Sequence, residues 1–177
     1  MIRRLAAFAA LLLLAGCLVS DGDLIAPADA DYPIADGTRF AEYPLDETGA
    51  RAGDDQESVI VTRDGARYLM QTGEDGKLFS GLMKEIGPEL YAVMMREDDV
   101  AEGNLYALMK REGASWKRWG MVCPDFVSLT EANGRTLADF GIEVRNSDCV
   151  AKDFSSITKA LLFAHEHQAP DAEYVAE

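Results

Sequence analysis

Much of what would announce a chemistry is missing from this chain. Only two histidines and three cysteines occur in 177 residues. No C-x-x-C pair is present, which excludes a zinc ribbon and a dithiol redox motif. No serine lies in a G-x-S-x-G elbow, and no glycine-rich loop leads into a helix to cradle phosphate. Positive charge is scarce, with 17 Lys and Arg against 31 Asp and Glu. A net charge of −14 gives no long-range attraction for DNA, RNA or anionic lipid, so nucleic acid is not an expected partner. There is also no apolar run of the roughly 20 residues that a membrane-spanning helix needs.

The longest uncharged apolar run, Leu5 to Ala15, follows Arg3 and Arg4 and ends at small residues. A positive head, a short apolar run and small residues at its end make residues 1–16 a cleavable export signal. The boundary residues Leu14-Ala15-Gly16-Cys17 resemble the lipobox of bacterial lipoproteins. That resemblance covers about the first twenty residues. It implies acylation of Cys17, cleavage just before it, and attachment to a membrane through several acyl chains. Each buried methylene contributes about 0.8 kcal/mol, so several chains hold firmly where one does not. Leu18, where an Asp would favour inner-membrane retention, implies the outer membrane, facing the periplasm. Without the signal, 15 basic residues face 31 acidic ones, a formal charge of −16.

With Cys17 assigned to lipid, Cys123 and Cys149 remain as a pair, and an oxidising compartment makes them a disulfide. Residues 17–31 are Asp-, Ala- and Pro-rich, which predicts a lipidated tether without a stable core. Asp21-Gly22-Asp23 and Asp29-Ala30-Asp31 lack the glycine and the bidentate glutamate that would complete a calcium loop. A single domain is expected over 32–168, followed by an acidic, frayed tail over 169–177.

Within that domain the pattern predicts strands at Ser58 to Arg63, from Tyr68, at Lys77 to Ile86, Leu90 to Arg96, Leu105 to Lys110 and Ser115 to Val122. Tight turns such as Asp64-Gly65 join them, and Thr38 to Tyr43 adds an edge strand. Tyr91, Val93 and Met95 alternate with Leu90, Ala92 and Met94, so both faces of that strand are apolar. The sheet must therefore curl, with something packed outside it. Trp116 and Trp119, three apart, should point to opposite faces. A carboxy-terminal helix begins at Asp153 or Ser155, carries Phe154, Ile157 and Leu161 on one stripe, and ends near Gln168. A shorter helical turn over Thr136 to Phe140 stops at Gly141. The expected class is α+β: an antiparallel, meander-like or barrel-like sheet with one carboxy-terminal helix and one disulfide.

The candidate sites are few. His165 and His167 diverge by about 200° on a helix and cannot share one metal ion. Paired carboxylates such as Asp54 with Asp55, and Asp98 with Asp99, have the character of acidic turns. The methionines sit at strand positions beside Leu, Val and Tyr, which is core usage. Two features suit a partner surface: Phe163, on the helix side opposite Phe154 and Leu161, and the basic cluster Lys110, Arg111, Lys117 and Arg118. The expectation is a non-enzymatic envelope lipoprotein, with no cofactor and no metal, that binds or scaffolds another envelope protein. The alternative is a carrier of a small apolar ligand inside a curved sheet. A filled interior would exclude the carrier, and an open cavity lined by Met and aromatic side chains would favour it.

Overall fold

The computed structural model describes residues 16–53, 56–73, 76–97 and 103–177. The signal run 1–15 and the pairs Asp54–Asp55 and Asp98–Asp99 lie outside them. Eight strands form the body: β2 (Thr38–Pro44), β3 (Glu57–Asp64), β4 (Arg67–Thr72), β5 (Lys77–Gly87), β6 (Leu90–Glu97), β7 (Asn104–Glu112), β8 (Ser115–Gly120) and β11 (Ala172–Ala176). Each pairs antiparallel with the next, β8 pairs with β11, and β11 pairs with β2, so the sheet closes into a barrel. Closure leaves no open edge among these eight. Gly81 helps the sheet bend: a Cβ there would lie 2.9 Å from the carbonyl oxygen of Met94.

The alternation of apolar residues gives two cores. Tyr91, Val93 and Trp116 face the barrel interior, where Tyr91 and Trp116 pack with ring centroids 5.5 Å apart. Ala92, Met94, Leu108 and Trp119 face outward into a second core beneath the helices. The two tryptophans thus separate as their spacing predicts. The outer core is covered by α1 (Cys123–Ala132), α2 (Phe154–His167) and the hairpin of β9 (Ile142–Arg145) and β10 (Asp148–Ala151). The disulfide Cys123–Cys149 ties the start of α1 to β10. Closing a loop of that length stabilises the fold by about 3.5 kcal/mol in the chain-entropy model.

Several expectations need correcting. The molecule is largely β, with two helices where one was expected. Helix α1 has Pro124 in its first turn and Asp125 beside it, a start signal hidden behind the preceding strand pattern. Thr38–Pro44 is not an edge strand but lies between β3 and β11. The tail is not frayed: Ala172 and Tyr174 face inward while Glu173 faces out to Arg51 at 2.8 Å.

Residues 17–31 differ most. Leu18 to Ser20 form β1, parallel to β10 and antiparallel to the start of β7. Leu18 and Ile25 are fully buried, each contributing roughly 1.5–3 kcal/mol. From there the chain runs down the outside of the barrel as a strap. Asp23 fastens it to Arg67 at 2.6 Å and Arg96 at 3.0 Å, and Asp31 pairs with Met83. The helix α2 and the turn before it follow expectation. Asp153 accepts from the Ser156 N–H at 2.8 Å, and Thr136 and Asp139 form a reciprocal cap on the 3₁₀ turn ending at left-handed Gly141.

Candidate functional site

The strap passes beneath one end of the barrel and closes it. Ile34 enters the interior, and its N–H and carbonyl both bond the hydroxyl of Tyr68, at 3.0 and 2.9 Å. The connections 65–66, 88–89 and 113–114 lie at this base. At the opposite end, the rim, β2, β4, β6 and β8 end and β3, β5, β7 and β11 begin.

Above Ile34 the barrel is not filled. A cavity of about 140 Å³ remains, lined by Met70, Met95, Met109, Phe40, Phe79 and Val59 among others, with almost wholly apolar walls. Strand alternation places these side chains there, because residues two apart share the inner face. Three thioethers can adapt to the shape of an occupant where branched side chains would not.

One edge of the cavity is polar in composition. Arg118 donates to Glu42 at 3.1 Å, to Asp171 at 3.1 Å and to the Tyr174 hydroxyl at 2.7 Å. Burial opposes the guanidinium charge, but Tyr174, Asp171 and Glu42 outweigh it and raise the Arg118 pKa. Burial likewise pushes the Tyr174 phenol up, so it stays protonated. This network consumes its own charges, and Arg118 and Tyr174 present their carbon stems to the cavity. The chemistry on offer is shape-selected apolar contact; the polar residues of the lining are Thr72, Glu42, Arg118 and Tyr174, and Arg118 bonds both Glu42 and Tyr174.

The chain matches no protein-family model, no curated protein and no solved structure at a significant level.

The residues singled out from sequence are dispersed. Lys110 and Lys117 face each other across β7 and β8 and share Glu112, at 2.9 and 3.1 Å. Arg111 lies 4.0 Å from Glu89 and over the ring of Trp116. Arg118 belongs to the cavity edge. Each of the four cations therefore has a carboxylate beside it. Phe163 packs on Phe140 and Phe126, with centroids 4.9 and 6.3 Å away, inside the domain. His165 lies against Trp119 and His167 against Phe163; burial and Lys110 lower the His165 pKa. Among the described residues no group of three or more His, Cys, Asp and Glu is placed to hold a metal ion.

Cys17 is half-buried at the start of β1. Its N–H donates to Asp148 at 2.9 Å, and its carbonyl accepts from the Cys149 N–H at 3.0 Å. Burial, then the Asp148 charge, raises the thiol pKa. The sequence reading missed Ile34, Glu42 and Tyr174 as parts of a site. The Ala-Glu-Tyr-Val-Ala alternation at 172–176 was the available signal.

Proposed function

We propose that this chain is a lipid-anchored envelope protein whose barrel holds one small apolar molecule. The observation that carries the reading is the unfilled, Met- and Phe-lined cavity above Ile34. Protein interiors pack to about 0.74 density, and an unfilled core of this size costs stability, so its retention favours use. An apolar cavity of about 150 Å³ accepts one benzene, which sets the occupant at ring size or a short branched chain. The lipobox residues and the position of Cys17 at the first strand support the anchor. Non-catalytic binding is the role the wall chemistry supports, since its charges are already paired with each other.

Titration with toluene and with xenon tests this, followed by the methyl resonances of Met70, Met95 and Met109. Saturable shifts are expected. Ala107 of β7 also lines the cavity, and Ala107→Leu, which fills it, should weaken binding at least tenfold while leaving the melting temperature equal or higher. Absence of saturation in the unaltered protein, or indifference to Ala107→Leu, would overturn the reading.

A further inference from the structure

If Cys17 carries lipid, the fold decides how the barrel meets the membrane, because no spacer separates the acylated residue from the domain. Cys17 is held on both sides of its backbone, by Asp148 and Cys149, and Leu18 is already fully buried. The joint is therefore stiff. Its place is also defined. Cys17 bridges Val122, two residues past the rim end of β8, and Val19 and Ser20 pair with Leu105 and Asn104, at the rim end of β7. The anchor point lies at the shoulder of the rim, beside the ends of β7 and β8.

A second observation points the same way. Among the described residues the exposed large apolar side chains are Val144, 56% exposed, and Leu78, 38% exposed. Val144 pairs with Cys149, which pairs with Leu18, so it stands two strand spacings, about 10 Å, from the anchor. Leu78 is the second residue of β5, at the rim. Val144 thus lies beside the anchor and Leu78 at the rim.

We propose that the acyl anchor holds the barrel rim-down on the bilayer, so that the cavity exchanges apolar molecules with the membrane instead of with water. This rests on the lipidation reading above. The charge pattern refines it. The chain as a whole carries 31 Asp and Glu against 17 Lys and Arg. Such a chain is repelled by anionic headgroups, so docking depends on the acyl chains and apolar contacts and favours neutral lipid.

The test uses the full lipidated protein in phosphatidylcholine vesicles containing a headgroup-attached quencher. A fluorophore is placed on Glu47→Cys at the rim or on Ala114→Cys at the base, about 20 Å apart along a barrel of this strand length and tilt. Strong quenching at 47 and little at 114 is expected. Replacing a third of the lipid with phosphatidylglycerol should reduce quenching at 47. Ten Gly and Ser residues inserted between Cys17 and Leu18 should equalise the two positions. Intact mass of the same samples separates the failures. An unacylated Cys17 overturns the anchor and this orientation with it. An acylated Cys17 with equal quenching at 47 and 114, or with stronger quenching at 114, overturns the orientation alone.

Discussion

The hydroxyl of Tyr68 satisfies both backbone groups of Ile34, accepting from its N–H at 3.0 Å and donating to its carbonyl at 2.9 Å. One side chain thereby fixes the segment that closes the barrel base. Tyr68→Phe would leave a buried donor and a buried acceptor without partners, at about 1–3 kcal/mol each before relaxation. We expect a loss of about 2–3 kcal/mol in urea unfolding. Amide exchange at 34 should quicken more than exchange on β7 and β8, because the defect is local to the plug.

Removing residues 169–177 should do far more harm than trimming an acidic tail would. Without β11, the strands β2 and β8 lose their common neighbour, and the interior loses Ala172 and Tyr174. The truncated chain is expected to lose its cooperative thermal transition and to aggregate through the two bared strands. Tyr174→Ala, which keeps the backbone pairing, should cost about 3–5 kcal/mol in urea unfolding and leave the transition cooperative.

These two predictions concern the parts of the fold that local sequence hid. The two faces of β6, the parting of Trp116 from Trp119 and the Asp153 cap were legible because each depends on residues within a few positions of one another. β1 and β11 were not, because their partners are remote in sequence: Leu18 meets Cys149, and Tyr174 meets Glu42. An Asp- and Ala-rich composition masked Leu18 and Ile25, whose burial is a tertiary fact. The cavity was legible only as a possibility of curvature. Its volume follows from how side chains on all eight strands meet across a closed interior, which no local pattern encodes.

The turn between β9 and β10 offers a stabilising change. Asn146 and Ser147 have φ of 51° and 75°, the left-handed pair that a two-residue hairpin turn demands. Asn tolerates this conformation better than Ser does. Ser147→Gly should raise the unfolding free energy by about 0.5–1 kcal/mol, the strain relieved exceeding the added freedom of the unfolded chain. Asn146→Gly should gain less. Urea midpoints at constant m-value will distinguish them.

Acid sensitivity should centre on Asp23, which fastens the strap. Burial alone would raise its pKa, but hydrogen bonds from Arg67 and Asn104, with the charges of Arg67 and Arg96, lower it on balance. A carboxyl depressed in the folded state contributes stability that is present above its unfolded pKa of about 3.9 and is lost as pH falls through the folded value. Asp23→Ala removes that contribution and also deprives the fully buried Asn104 amide of an acceptor at 3.0 Å. At pH 7 we expect a loss of about 2 kcal/mol, discounted because the carboxylate is partly solvent-exposed. Below about pH 4 the gap between the two proteins should narrow as the native carboxylate protonates. Asp23→Asn, which keeps an acceptor for Asn104 but not the charge, should lie between them at pH 7. A gap that stays constant from pH 7 to pH 3 would mean that packing of the strap, and not the Asp23 charge, holds residues 21–25 against the barrel.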